Sequence, residues 1–481
     1  MPLRERLRTL ERIARRLDPE PADRARLAEA SVRYADRFLS QLGAIGTYRG
    51  HEPVGEAADF ALAEEHDELP RMLRLLDRKV NRPGINPAGR GHFGYIPGGG
   101  IYPAALGDFI ADVTNRYSGV YYASPGAVLM ERSLIEWMAA LVGYPKGSGG
   151  DLTSGGSIAN LSAIVAAREA FDLRARDYHK VVVYLTEQTH HCVDKAIRVA
   201  GLRECMIQRV PMDNGWRMEA GALDAMIRSD RAAGLIPWLV VGSGGTTDSG
   251  AVDPLGDIAE VADEHGLWFH CDAAYGGFFL LTDYGREKLA GIERSDSAVL
   301  DPHKGLFMPF GSGALLVRDE SQLANAMSGT ANYMQDTRGG EQIYSPADLS
   351  PELTRPFRGL RMWLPLRLFG LRPFRACLEE KLLLARHFHE ELGKVPGFEM
   401  GPEPDLSVVT YRYRPEHGDA EAFNRALLQA VHDDGKTFVT STMLDGHFTL
   451  RLAALHFRSH LDEVEYLLEL LRYEARRLLD T

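Results

Sequence analysis

The sequence predicts an α/β fold with a mainly parallel central sheet, an N-terminal helical segment and a small C-terminal α+β domain. Apolar runs of strand length alternate with helical patterns in the middle of the chain, as in parallel sheets that helices cover on both faces. At 481 residues the chain is too long for one simple core. We expect a helical segment at 1–88, a large domain at 89–372 and a small domain at 373–481.

The first segment is predicted to be helical, with helices over 24–42 and 60–81 after an amphipathic start. Glu5 and Glu11 interrupt the arginine-rich first residues, which argues against a transit peptide because such peptides contain few acids. The apolar positions that recur at helical spacing in this first helix are Leu3, Leu7, Leu10 and Ile13. We expect them to pack on the same protein or on a second subunit.

The middle of the chain alternates strands and helices. The predicted strands cover 181–185, 205–210, 238–241, 268–272, 298–300 and 313–317. The predicted helices cover 157–171, 193–200, 219–233 and 254–265. Because ligands collect at the carboxyl ends of strands in such sheets, Asp272 and Asp301, each at a predicted strand end, are expected near the functional edge.

The last third begins with an irregular, polar stretch at 332–355, which is typical of a lid or a disordered segment. Helical patterns return at 359–369 and 373–392. The tail mixes strand-like and helical patterns and predicts the small α+β domain. Its strands are predicted at 407–412 and 448–452, and its helices at 420–433 and 461–479.

Composition is that of an ordinary globular protein, with 45% apolar and 25% charged residues. The net charge of −12 disfavours nucleic acid or anionic membranes as partners. We find no apolar run long enough to span a bilayer. The cysteines show neither zinc spacing nor a disulfide framework, so a reducing cytoplasm is expected. They are Cys192, Cys205, Cys271 and Cys377.

A lysine and an aspartate carry the strongest chemical prediction. Lys304 follows Pro302 and His303 in a loop, and Asp272 ends a predicted strand upstream. An enzyme that uses pyridoxal 5′-phosphate (PLP) needs a lysine amine for covalent attachment to the cofactor aldehyde. It also needs a carboxylate beside the pyridine nitrogen, so that the protonated ring acts as an electron sink. Either residue alone also suits a surface or turn position, but together they predict a PLP site.

Further motifs fit the same site. Gly156 and Ser157 precede a helical pattern, where glycine lets the backbone approach an anion and free N–H groups bind phosphate; a plain capped helix is the alternative. Thr246 adds a polar contact or is a turn residue. His190 is suited to lie flat on the cofactor ring. A metal site of His190, His191 and Cys192 is disfavoured, because adjacent ligands rarely share one metal, so no metal is expected.

The residues of these motifs and their order along the chain resemble those of the PLP-dependent group II amino-acid decarboxylases. This family includes the aromatic-amino-acid, tyrosine and glutamate enzymes. The resemblance implies PLP fold type I, similar to aspartate aminotransferase, and a homodimer whose N-terminal segments embrace each other. It implies decarboxylation of an L-amino acid to an amine and CO2. It further implies that His190 stacks on the cofactor, Asp272 pairs with its nitrogen, Ala274 lies under the ring, Lys304 binds the aldehyde and His303 touches phosphate or substrate.

The resemblance also implies residues that act on the substrate. Tyr333 matches the tyrosine that reprotonates the substrate carbon, and Tyr344 is a second candidate. Tyr95 and Pro97 match a stretch of the substrate pocket. Arg451 matches an arginine that grips the substrate carboxylate in the glutamate branch, or it is a structural ion-pair partner.

The substrate is less defined, because Gly305 stands where the family has tryptophan or methionine. An aromatic substrate is favoured by the aromatic residues Phe93, Tyr95 and Tyr102. An acidic one is kept open by Arg338, Arg355 and Arg358. Oxidative decarboxylation–deamination to an aldehyde and PLP binding without catalysis also stay open; retention of His190 and Tyr333 favours the amine-forming reaction.

Overall fold

The computed structural model describes residues 1–50, 52, 54–62, 64, 67–329 and 345–480. Its N-terminal segment contains α1 (Leu3–Ala14), α2 (Pro21–Ser40), α3 (Leu69–Leu76) and the short antiparallel pair β1 (Tyr48–Arg49) and β2 (Gly84–Ile85). The single helix predicted over 60–81 is wrong. Pro70 is tolerated only in the first turn of α3, so a helix cannot run through it from residue 60.

The central sheet has seven strands in the order β3-β9-β8-β7-β6-β4-β5. The strands are β3 (Gly149–Thr153), β4 (Val181–Leu185), β5 (Met206–Arg209), β6 (Ile236–Ser243), β7 (Trp268–Asp272), β8 (Ser297–Leu300) and β9 (Gly313–Val317). Neighbours from β8 to β5 pair in parallel, whereas β9 pairs antiparallel with both β8 and β3. The mainly parallel sheet is therefore confirmed. Its inner strands are apolar along their length because helices bury both faces.

Helices cover this sheet on both sides, and the other helices of the large domain pack on them or beside them. They are α4 (Tyr102–Thr114), α5 (Pro125–Val142), α6 (Gly156–Ala170), α7 (Cys192–Val199), α8 (Ala220–Ala232), α9 (Leu255–His265), α10 (Asp283–Lys288), α11 (Pro302–Gly305), α12 (Glu320–Met327) and α13 (Gly359–Phe369). Helix α6 buries the small side chains of Ala159, Ala163 and Ala166. Small residues let α6 lie close to the sheet, and this close packing fixes the position of its N-terminus.

The C-terminal part contains α14 (Leu371–Gly393), β10 (Phe398–Met400), β11 (Val408–Tyr413), α15 (Ala420–Asp434), β12 (Thr440–Leu444), β13 (His447–Ala453) and α16 (Leu461–Leu479). Its four strands form an antiparallel sheet in the order β10-β11-β13-β12. Helix α14 joins the two parts, since Phe374 and Leu378 pack in the large core and Phe388 and Leu392 in the C-terminal core. No helix in the described ranges is both long and apolar enough to cross a membrane.

A buried ion cluster ties the chain after residue 345 to the large domain. The Arg355 side chain is 0% exposed and contacts Glu131 Oε2 at 3.0 Å; it also pairs with Asp151 and donates to the Leu152 carbonyl. Burial raises the pKa of Asp151 and opposes its ionisation, while Arg355 pulls that pKa down. Without the guanidinium, two carboxyl groups would be left buried without a countercharge.

Replacing Arg355 with Met is expected to destabilise the protein by about 3 kcal/mol, the usual cost of removing one partner from a buried ion pair. Chemical denaturation of the purified variant measures this. Arg15→Met is the matched control, because Arg15 pairs with Glu11 on the exposed surface, where solvent screens the pair, and its loss should leave stability nearly unchanged. Equal stability of Arg355→Met and the parent would contradict the structural role of the cluster.

Candidate active site

A cavity of about 360 Å³ opens at the carboxyl ends of the parallel strands β4, β6, β7 and β8, beside the N-terminus of α6. This is the edge at which open α/β sheets bind ligands. The structure brings together here the residues that were predicted to bind a cofactor. Those that line the cavity are Gly156, Ser157, His190, Thr246, Asp272, Ala274, His303 and Lys304.

Lys304 lies in the short helix α11, which starts directly after β8. Its Nζ is 3.0 Å from Asp301 Oδ2, one helical turn earlier. Burial lowers the pKa of Lys304, but the carboxylates of Asp301 and Asp272 outweigh burial, so the net pKa is raised. The amine is therefore held as an ammonium group in this arrangement. We did not predict this role of Asp301, although its spacing of three residues from Lys304 is a usable signal.

Asp272 ends β7 and is buried, with 8% exposure. Asn160 Nδ2 donates to its Oδ2 at 3.2 Å, and the Ala274 N–H donates to its Oδ1 at 3.2 Å. Both donors are neutral, so the carboxylate keeps its charge for a further partner. Asn160 follows the predicted phosphate residues Gly156 and Ser157 by one helical turn, but nothing in a linear sequence shows that an asparagine of α6 faces a strand end more than a hundred residues later.

The start of α6 is shaped to receive an anion. Gly155, the N-cap residue, has φ +152°, a backbone conformation that favours glycine. A Cβ at Gly156 would lie 3.1 Å from Asp301 Oδ2 and 3.3 Å from the Ala274 Cβ, so only glycine leaves this corner open. Ser157 lies in the first turn and its side chain does not cap the helix, so the plain capped start is wrong. The free N–H groups of a fifteen-residue helix thus border the cavity.

His190 also lines the cavity and follows β4 in the chain. Its Nδ1 accepts a hydrogen bond from the Cys192 N–H at 3.3 Å. Burial lowers the pKa of His190, against the raising effect of Asp272. The ring is therefore held neutral, with its proton on Nε2. Burial also raises the pKa of the Cys192 thiol to about 12, so this thiol stays protonated.

Thr246 and His303 have partners inside the protein. The Thr246 hydroxyl pairs with Ser249 Oγ at 2.8 Å and accepts from the Ala251 N–H at 3.1 Å, as a turn residue does. His303 Nδ1 contacts the Ser312 carbonyl, and its Nε2 lies 3.6 Å from Asp301 Oδ2. Nδ1 is thus the protonated nitrogen of the His303 ring. Its other edge borders the cavity.

The structure does not bring Tyr95, Pro97 and Arg451 to this cavity. Arg451 is buried, and its guanidinium donates to the carbonyls of Tyr95, Thr247 and Asp248 and to the Thr440 hydroxyl. It therefore ties the C-terminal sheet to the cavity loop, in place of the predicted grip on a substrate carboxylate. The physical reason is that protein acceptors surround the guanidinium on several sides. Tyr333 and Tyr344 lie outside the described residues.

Comparison with known proteins agrees with this geometry. The model of the pyridoxal-dependent decarboxylase conserved domain matches residues 59–414, most of the chain. The chain belongs to the pyridoxal-dependent decarboxylase family. This makes it a PLP-dependent carboxy-lyase and confirms both the predicted cofactor and the predicted fold class.

Individual relatives cover nearly the whole chain. The aromatic-L-amino-acid decarboxylase of Bacillus atrophaeus is 32% identical, over 86% of this chain and 88% of that one. Phenylacetaldehyde synthase of Arabidopsis thaliana is 30% identical, over 81% of this chain and 83% of that one. The crystal structure of Oryza sativa TDC with PLP and tryptamine superposes with a TM-score of 0.90 at 25% sequence identity. The superposition covers 96% of this chain and 99% of that one.

The cavity of this pyridoxal-dependent decarboxylase fits PLP. The glycine corner at the start of α6 suits the phosphate, the buried carboxylate of Asp272 suits a protonated ring nitrogen, and Lys304 is the one amine among the lining residues. Donors, acceptor and amine thus line one cavity.

Gly156→Val is expected to weaken PLP binding at least tenfold, because the side chain would fill the corner next to Asp301 and Ala274. Equilibrium titration of the cofactor-free protein with PLP measures the loss. Gly221→Val is the matched control, since Gly221 also lies in the first turn of a helix and a Cβ there meets nothing within 4 Å. Undiminished PLP affinity of Gly156→Val would remove this corner from the cofactor site.

Proposed function

We propose that this enzyme decarboxylates an aromatic L-amino acid to the corresponding amine and CO2. The observation that carries the proposal is the single cavity in which Lys304, Asp272 and the glycine start of α6 meet. Bound PLP supplies an electron sink for the electron pair that CO2 leaves behind. The remaining work falls to the side chains of the protein.

Four residues have proposed roles in holding the cofactor. Lys304 provides the amine that binds its aldehyde, and Asp272 pairs with its ring nitrogen. Gly156 and Ser157 offer backbone N–H groups, and Ser157 a hydroxyl, to its phosphate. Support comes from the presence of all four residues in the lining of one cavity.

Four further side chains are proposed to act around the cofactor and the substrate. His190, neutral and with Nδ1 already occupied, presents its ring to the cavity and holds the cofactor plane. Ala274 leaves room on the other side, and His303 borders the phosphate or the substrate. Tyr333, outside the described residues, is proposed to donate a proton to the substrate α-carbon.

An aromatic side chain is supported by the neighbouring space. A second cavity of about 290 Å³ shares His303 with the first. Its walls include the apolar side chains of Phe38, Val80, Met308, Pro309 and Phe310. Such walls stabilise a ring by burial and offer no countercharge to an acidic substrate.

Two of the three arginines that kept an acidic substrate open are otherwise engaged, and the third, Arg338, lies outside the described residues. Arg355 pairs with Glu131 and Asp151, and Arg358 pairs with Glu352 at 2.6 Å. The names of the relatives also favour aromatic substrates, since they include aromatic-L-amino-acid, tyrosine and tryptophan decarboxylases.

Aldehyde formation is a second candidate, because phenylacetaldehyde synthases are among the relatives at 30% identity. In that reaction oxygen is consumed and the nitrogen leaves as ammonia. Retention of His190 and Tyr333 favours the amine.

A cytoplasmic homodimer is proposed as the working form. Helix α1 leaves Leu3, Leu7, Leu10 and Ile13 more than half exposed, and α4 does the same with Phe109 and Val113. Apolar helix faces of this kind mark a protein interface. A second copy is the proposed partner because a symmetric dimer would cover these faces on both subunits at once.

The proposal is tested by incubating the PLP-loaded enzyme with each common L-amino acid, identifying products by mass spectrometry and recording oxygen uptake. We expect an amine from tyrosine, tryptophan or phenylalanine, with no oxygen consumed. Lys304→Ala is the control and should yield no product. An aldehyde with oxygen uptake would assign the chain to the oxidative reaction, and an amine from glutamate or aspartate alone would contradict the aromatic substrate.

A further inference from the structure

A row of buried polar groups runs behind the cavity and ends at Asp272. Its members come from α6, β7 and β8, and each is at most 2% exposed: Trp268, Ser297, His270 and Asn160. None of them except Asn160 lines the cavity. Buried polar groups are costly unless they are hydrogen-bonded, so we expect each group in this row to have a defined hydrogen-bond partner.

At the end distant from the cavity the row begins with a donor. The indole N–H of Trp268 can only donate, and it lies 2.9 Å from Ser297 Oγ. Ser297 Oγ is also 2.7 Å from His270 Nδ1. A hydroxyl oxygen can accept two hydrogen bonds, so the direction of the bond between Ser297 and His270 follows from the other nitrogen of the ring.

The direction is fixed at the cavity end. Asn160 Nδ2 donates to the Gly156 carbonyl at 2.9 Å and to Asp272 Oδ2 at 3.2 Å. Its Oδ1 therefore faces His270 Nε2, at 2.7 Å, and accepts the proton there. Burial lowers the pKa of His270 to about 4, so the ring is neutral and carries its one proton on Nε2. Nδ1 is then unprotonated and accepts from the Ser297 hydroxyl.

We propose that His270 and Asn160 are positioning residues, which hold the Asp272 carboxylate through one directed chain of hydrogen bonds so that its charge faces the ring nitrogen of the cofactor. The inference rests on the role proposed above for Asp272. The Nε2–H of His270 keeps the Asn160 amide from turning over. If that amide turned, its oxygen would face the carboxylate and repel it.

The row must also be neutral if the negative charge of Asp272 is to face the cofactor nitrogen. An imidazolium beside Asp272 would compete with the cofactor nitrogen for the negative charge. A neutral imidazole that acts through an amide orients the carboxylate and leaves its charge uncompensated. Successive hydrogen bonds in one direction also polarise each other, which strengthens the last donor of the chain.

The test compares two ligands on the full-length, cofactor-free protein: PLP, and its 1-deaza analogue, in which C–H replaces the ring nitrogen. His270→Leu removes the Nε2–H with little change in volume. We expect its affinity for PLP to fall at least about fivefold, as for the loss of one hydrogen bond to a charged site. Affinity for the deaza analogue should change less than about twofold, because that ligand has no nitrogen for Asp272 to meet.

Ser297→Ala is a second, milder variant. It should also lose affinity for PLP and not for the deaza analogue, but by a smaller factor. Ser295→Ala is the matched control: it is equally buried and pairs with the Tyr144 hydroxyl at 2.7 Å, outside the row. It should leave both affinities unchanged. Thermal unfolding of each cofactor-free variant verifies that it is folded.

Equal losses of affinity for both ligands, or unchanged PLP affinity in both row variants, would overturn the proposal. Because only binding is measured, failure here is distinguishable from failure of the proposed decarboxylation.

Discussion

Two buried carboxylates, Asp272 and Asp301, lie at one edge of the central sheet, and a buried charge is costly unless it is paired or hydrogen-bonded. The architecture supplies a countercharge to Asp301 and neutral hydrogen-bond donors to Asp272, from different elements. Lys304 meets Asp301 from the helical turn that follows β8, and Asn160 reaches Asp272 from α6. The same groups that satisfy these charges therefore define the cavity, so the stability of this edge and its chemistry depend on the same contacts.

The rest of the fold keeps that edge in place. Arg451 connects the C-terminal sheet to the carbonyls of Thr247 and Asp248, in the loop that also carries Thr246 into the cavity. Helix α14 packs in both cores, and Arg355 fastens the chain beyond residue 345 to the large domain. The C-terminal part thus acts on the site through positioned loops, without placing a side chain in the first cavity among the described residues.

Much of this arrangement could be predicted from local sequence. Strands such as Val181–Leu185 and Trp268–Asp272 are continuous apolar runs between helical patterns. Lys304 and Asp272, taken together, meet two separate requirements of one cofactor, which neither residue does alone. The edge strand Gly149–Thr153 was missed because its glycines and aspartate have low β propensity; it forms because β9 offers it a free edge.

Contacts distant in sequence could not be predicted. Asn160 and Asp272 are 112 residues apart, and Arg451 and Tyr95 are 356 apart, so only the folded chain shows that they meet. Arg451 shows the limit of a motif most clearly. Its place in the sequence suggests a carboxylate ligand, whereas its burial among carbonyl groups makes it a structural link.

In the proposed site the cofactor is bound through Lys304, with Asp272 at its ring nitrogen. Borohydride reduction of the PLP-loaded protein, followed by proteolysis and mass spectrometry, tests this attachment, because reduction makes the bond between cofactor and lysine permanent. We expect the mass of the reduced cofactor on the peptide that contains Lys304. The same mass on another lysine, or on none, would show that Lys304 does not bind the cofactor.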